Sequence, residues 1–247
     1  MSERRPDLRI DIIAPSAYDD RGDLKQYWMV LMRPPVFAVL DGLADQAAND
    51  FGLNISIAHH NERTKRGEDY LGSIIRARSL ADENVVLITA KSFEVPRAID
   101  IAKKLKEAGM QVVLGGPGIT LADCRVYDYL VQEGIPFNVG EGENTVSQII
   151  QDAVDHQLRP AYWQKGYVDM RQAPLPALPR KSEYRQMIQG FAAIDIGQGC
   201  PFKCSYCSAR ELRGRRMTVD RSRDVSSSMP WIREAHDRGF SVMIIDD

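Results

Sequence analysis

The stretch VVLITAKSFEVPRAIDIAKKLKEAGMQVVLGGPGIT, residues 85–120, decides the fold. Its two apolar runs, Val85 to Ile88 and Val112 to Leu114, are short, rich in valine and bounded by turn formers, the pattern of strands buried on both faces. Between them Ala98, Ile101, Ala102, Leu105 and Ala108 fall on one helical face, and Gly109 ends it. Strand, helix and strand in this order specify a parallel pair joined by a right-handed crossover.

The same alternation extends outward. Residues 8–14 (LRIDIIA) form an apolar run that stops at Pro15. A helix starting at Pro34-Pro35 places Phe37, Leu40, Ala44, Ala47, Ala48 and Phe51 on one face and stops at Gly52. A weaker strand at 53–58, a helix over 121–133, a strand at 136–139 and a helix at 145–154 complete the pattern. The fold expected over 1–156 is therefore α/β, a five-stranded parallel sheet of Rossmann or flavodoxin type. Residues 157–189, with Pro160, Pro174, Pro176 and Pro179, are expected to form an extended connector, and 190–247 to form a second domain.

Composition narrows the function classes. The chain has 247 residues, which at roughly 150 per domain is about one and a half domains. With 32 basic and 34 acidic residues there is no field of one sign to hold nucleic acid nonspecifically. No apolar run reaches the length of a membrane span, and the N-terminus lacks the apolar core of a signal peptide, so a cytoplasmic protein without nucleic-acid or membrane partners is expected.

Ligands of open α/β sheets bind beyond the carboxyl ends of the strands, where strand order reverses. The residues there are small and polar: Ser16 after the first strand; Thr89, Ala90, Lys91 and Ser92 at the third; Gly115, Gly116, Pro117 and Gly118 at the fourth; Gly140, Glu141 and Gly142 at the fifth. Glycines let a ligand lie against backbone, although each also serves an ordinary turn. His59 and His60, after the second strand, are expected at the surface, and Cys124 in the core.

A further strand, FAAIDI at 191–196, leads into Cys200-x3-Cys204-x2-Cys207. Three thiolates on one loop can hold three irons of a four-iron cluster, leaving the fourth iron open to a small ligand. A zinc site lacking one ligand, or ordinary free thiols, are the alternatives. Which of these occupies the loop is not decided by spacing.

The cysteine spacing, with Tyr206 before the last thiol and a strand before the first, resembles the signature of the radical S-adenosylmethionine superfamily. GGPGIT at the fourth strand and GEGENT at the fifth resemble the cobalamin-binding domain that precedes the radical domain in one subgroup. The resemblance implies a [4Fe-4S] cluster on Cys200, Cys204 and Cys207, with S-adenosylmethionine chelated by the open iron and cleaved to a 5′-deoxyadenosyl radical. Tyr206 would lie against the adenine, and Asp246 and Asp247 near the methionine amino group. Cobalamin would contact Ser16, Thr89, Ser92, Gly115, Gly116, Gly140, Glu141 and Gly142, with no histidine below the cobalt. It further implies a small-molecule substrate undergoing methyl transfer, rearrangement or cyclisation, and a reductant such as flavodoxin or ferredoxin. A partial barrel of six β/α units needs roughly 190 residues, whereas 190–247 supplies 58. The chain is thus expected to be the N-terminal portion of a longer enzyme, or a subunit whose barrel a second chain completes. A noncatalytic module that binds cobalamin or another ligand is the alternative.

Overall fold

The computed structural model describes residues 7–27, 33–64, 69–164, 166, 168–179, 190–200, 202, 204–213 and 223–245. They form two compact units: residues 1–28 with 44–164, and 29–43 with 165–247.

In the first unit the strands β1 (Leu8–Ala14), β2 (Ile55–Asn61), β3 (Glu83–Thr89), β4 (Gln111–Gly115), β5 (Phe137–Val139) and β6 (Ala161–Trp163) make one sheet in the order β2-β1-β3-β4-β5-β6. Every pairing is parallel, so all six carboxyl ends lie on one rim. Strand order reverses between β1 and β3, the place where such a sheet parts to admit a ligand. The helices of this unit are the part of α1 (Pro35–Phe51) from Ala44 onward, α2 (Tyr70–Ala77), α3 (Val95–Glu107), the single turn α4 (Pro117–Thr120), α5 (Cys124–Gln132) and α6 (Val146–Val154). One face of the sheet, with Ile13, Val86, Ile88, Val112, Leu114 and Phe137, packs on Ile74 of α2, on Ala98, Ile101, Ala102 and Leu105 of α3, and on Leu130 of α5. Each large side chain so buried stabilises by about 1.5–3 kcal/mol relative to exposure.

The expected α/β class is observed, with local departures. The sheet has six strands rather than five, because Ala161–Trp163 inside the connector pairs along β5. Strand β2 runs to Asn61, beyond its expected end at 58, and carries His60 into the sheet opposite Ile13. His60 is therefore buried, not at the surface, with Nε2 2.7 Å from Asp11 Oδ1. Asp11 has no exposure and also accepts two hydrogen bonds from Arg9. Cys124 is exposed rather than in the core. Asp123 caps α5 by accepting from the Arg125 N–H at 2.9 Å, so the helix starts at Cys124 and leaves that residue on the solvent side of its first turn.

In the second unit β7 (Phe191–Asp195) and β8 (Ser241–Ile245) pair in parallel, with α7 (Ala209–Arg213) and α8 (Val225–Asp237) between them in sequence. Trp231 and Ala235 of α8 pack with Ala192, Ile194 and Phe240. Pro230 lies inside α8 rather than at its first turn, where proline is best tolerated. A proline there forfeits about one backbone hydrogen bond, and the buried face of Ser228, Trp231 and Ala235 holds the helix through it. The connector is stitched to this unit by side chains: Arg223 donates to the carbonyls of Ala173 and Pro174, both at 2.7 Å, and Trp231 Nε1 donates to that of Pro176 at 2.6 Å.

Gly116 sits at φ 91° and ψ 177°, a region almost confined to glycine. A Cβ there would lie 2.7 Å from Thr89 Oγ1 and 2.9 Å from the Ala90 backbone. Gly115 has neither constraint: its Cβ would meet only Asn138 Cβ, at 3.7 Å. Gly116→Ala should therefore cost roughly 2–4 kcal/mol, while Gly115→Ala should leave the melting temperature within a few degrees of the parent. Thermal denaturation followed by circular dichroism checks the contrast.

Candidate functional site

Hydrogen bonds knit the rim at β3, β4 and β5 into one surface. The Ala90 N–H donates to Gly115 O at 3.0 Å and the Gly118 N–H to Ala90 O at 2.8 Å, so the loops after β3 and β4 lie backbone to backbone. Gly118 permits this approach, since a Cβ would fall 2.5 Å from Lys91 C. Thr120 joins the next loop: its Oγ1 donates to Gly116 O at 3.1 Å and accepts from the Gly140 N–H at 3.0 Å. Gln164, just after β6, accepts from the Glu141 N–H and donates to Glu141 Oε2. Thr89, Gly115, Gly116, Gly140, Glu141 and Gly142 are thus brought together, all half-buried. Ser92 stands apart, exposed in a short turn before α3.

At the reversal point the rim carries a charged cluster not expected from the sequence. Glu62, directly after β2, has no exposure. It accepts from the Ser16 N–H at 2.9 Å, from Tyr70 Oη at 2.8 Å, and from Arg97 at 2.6 Å and 3.0 Å. Arg97 Nη1 donates onward to Tyr18 Oη, which donates to Asp100 at 2.6 Å. Arg63 pairs with the buried Glu94, which accepts from the Lys91 N–H. Ser16 itself is buried, its hydroxyl donating to Lys25 O, so its side chain is committed to its own loop.

The charges follow from these contacts. Burial raises the Tyr70 phenol far above its ordinary value, and the Glu62 carboxylate raises it further, so Tyr70 is a hydrogen-bond donor at any physiological pH. Burial alone would lower Arg97, but its hydrogen bonds to Glu62 and Tyr18 outweigh that and hold it protonated.

In the second unit the strand β7 delivers the cysteine loop. Gln198 and its neighbours Gly197 and Gly199 are buried, Cys200 is half-buried, and Cys204 and Cys207 are exposed. The Cys207 N–H donates to Cys204 O at 3.1 Å, closing a turn that carries both thiols. All three thiols are free of disulfides. Tyr206 and Phe202 project outward, at 90% and 71% exposure. Among the described residues no three His, Cys, Asp or Glu side chains are placed to hold a metal ion, so the three thiols are not gathered into one ligand set. Asp246 and Asp247 lie outside the described residues.

The fold and these loops define a class: a parallel α/β unit with a glycine-lined rim, followed by a β/α unit that opens on a three-cysteine loop. Known proteins resemble the chain in sequence or in fold. The chain is 30% identical over 150 residues to a bacteriochlorophyllide d C-8(2)-methyltransferase of Chlorobaculum tepidum, an alignment covering 56% of this chain and 31% of the relative. It is 26% identical over 187 residues to a hopanoid C-2 methylase of Rhodopseudomonas palustris, covering 67% of this chain and 33% of the relative. The chain thus spans about a third of the length of the curated relatives it matches. In fold it resembles the apo structure of the cobalamin-dependent S-adenosylmethionine radical enzyme OxsB, with a TM-score of 0.58 and 10% identity, over 98% of this chain and 34% of that one. At that identity the likeness speaks for the fold. No protein-family model matches the chain. These likenesses agree with the resemblance drawn from the cysteine loop and the glycine rim: the chain is similar in sequence to two enzymes named for methyl transfer, and in fold to a cobalamin-dependent S-adenosylmethionine radical enzyme. No helix among the described residues is long and apolar enough to cross a membrane.

Removing one partner of a buried ion pair strands the other charge, typically at about 3–5 kcal/mol. Arg97 keeps some contact with water, its side chain being 18% exposed, so Glu62→Ala should cost about 3 kcal/mol. Glu62→Gln, which retains an acceptor for the Ser16 N–H, should cost less. Urea unfolding of both variants checks the order, and equal stability of all three proteins would contradict it.

Proposed function

We propose that this chain supplies the cobalamin-binding and cluster-binding parts of a radical S-adenosylmethionine methyltransferase, acting on a small-molecule substrate in the cytoplasm. The observation that carries the proposal is the pairing of the Cys200-x3-Cys204-x2-Cys207 loop with a 30% identical relative whose activity is methyl transfer to carbon.

The donors present fit both groups. At the loop, three free thiols are the donor type that suits the soft irons of a cluster, and loading would have to draw them together, since they are not gathered into a metal-holding group. At the rim, Gly115, which no clash with the described chain requires, and the buried Oδ1 of Asn138, unpaired among the described residues, offer close approach and a polar contact to a ligand. The chemistry supplied when both are bound is one-electron cleavage of S-adenosylmethionine at the cluster and methyl carriage on cobalamin.

The residues of the chain have plain tasks in this scheme. Cys200, Cys204 and Cys207 hold three irons and leave the fourth open. Tyr206, already exposed, is free to stack on the adenine, and Asp246 and Asp247 receive the methionine amino group. Thr89, Gly115, Gly116 and the Gly140 to Gly142 loop form the floor under the corrin. A reductant such as flavodoxin or ferredoxin delivers the electron, and a second chain or further sequence completes the barrel around the substrate.

Anaerobic reconstitution of the 247-residue chain with iron and sulfide tests this. The expected product has a [4Fe-4S] spectrum that changes on adding S-adenosylmethionine, and Cys204→Ala loses the cluster while keeping cobalamin binding. A cluster that leaves S-adenosylmethionine unperturbed favours a noncatalytic module. Joint loss of cluster and cobalamin in Cys204→Ala would show that the two sites are not independent.

A further inference from the structure

We propose that the side-chain amide of Asn138 is a ligand-binding group, its Oδ1 accepting a hydrogen bond from a donor on a bound corrinoid. The proposal rests on the cobalamin assignment above and names one contact within it.

Asn138 lies at the centre of β5 and is 7% exposed. Side chains alternate along a strand, so it faces away from Phe137, which is committed to the apolar core with Leu114 and Leu130. Its Nδ2 donates to Gly140 O at 3.2 Å. That bond fixes which way the amide points, because the flipped amide would set oxygen against oxygen. Oδ1 is consequently held on the other side, buried, with no partner among the described residues. A buried amide oxygen left unpaired is costly, and native proteins rarely keep one without a use.

An independent observation points to the same place. Gly116, Gly118 and Gly140 are each explained by protein atoms that would collide with a Cβ: Thr89 and Ala90, Lys91, and Gln164. Gly115 is not, for the space beside it is bounded only by Asn138 Cβ at van der Waals distance. An alanine would fit, so nothing in the described chain requires the glycine, and the orphaned amide belongs to the residue whose Cβ it would touch. Two other buried asparagine oxygens, on Asn61 and Asn84, also have no partner. Asn84 stands at the amino end of β3, away from the rim, and neither of the two borders an open glycine.

An amide oxygen can only accept, so the ligand must present N–H or O–H. A corrinoid offers both, as carboxamides around the ring and hydroxyls on its nucleotide tail.

The test compares three probes on the full 247-residue chain by absorbance titration: hydroxocobalamin, cobinamide, which keeps the ring amides without the tail, and heptamethyl cobyrinate, whose ring carries esters instead. Asn138→Ala should weaken cobinamide or hydroxocobalamin binding by about fivefold to tenfold and leave the ester within twofold of the parent. A loss shared by cobinamide and hydroxocobalamin puts the donor on the ring, and one confined to hydroxocobalamin puts it on the tail; either supports the proposal. Gly115→Ala, with its melting temperature retained, should weaken all three probes by filling the space. Equal weakening of all three by Asn138→Ala, the signature of a merely structural role, overturns the proposal, as does no weakening at all. If the parent chain binds none of the probes, the cobalamin assignment has failed first and this contact falls with it.

Discussion

A carboxylate without solvent holds the reversal point of the sheet together. Glu62 leaves β2 into a site where it has no exposure, and there Arg97, Tyr70 and the Ser16 backbone all donate to it, supplying the partners a buried polar group needs. Those donors come from α3, α2 and the loop after β1. One side chain therefore fixes three segments that meet where strand order reverses. Its strength derives from burial, since the same pair at the surface would be worth about 0–1 kcal/mol.

That clamp shapes what the rim can offer a ligand. With Ser16 drawn toward Glu62 and Lys25, the loop after β1 is internally satisfied, and Tyr18 closes against Lys25's neighbour Leu24 in an isolated antiparallel bridge. The part of the rim left open lies on the other side, at β4 and β5, where Gly115 has room and Asn138 has an unpaired acceptor. The glycines there divide by cause. Most are required by close approach of the chain to itself, and one has no such requirement. In the second unit the cysteine loop follows a comparable division: Gly197 to Gly199 are packed down, and beyond them Cys204, Tyr206 and Cys207 project into solvent.

Much of this was legible in the sequence where a signal was local. The bounds of β1 and α1 follow from an apolar run closed by Pro15 and a helix bracketed by Pro34-Pro35 and Gly52. The three-cysteine spacing is local too, and so is the glycine-rich character of the β4 loop. What escaped was nonlocal. Glu62 and Arg97 stand 35 residues apart, and nothing in the sequence around either marks it as buried. His60 looked like a surface residue because its burial depends on Asp11, 49 residues away. Strand β6 is three residues long with only Tyr162 buried, too short to show a period. Asn138 gave no signal, as an orphaned atom is visible only once its surroundings are folded.

The central claim is that one chain carries a corrinoid on its first unit and an iron–sulfur cluster on its second. Metal analysis of a single anaerobically reconstituted, cobalamin-loaded and desalted sample tests it most directly. About four irons, with matching sulfide, and about one cobalt per chain are expected. Zinc in place of iron, or a chain that retains neither metal, would contradict the account.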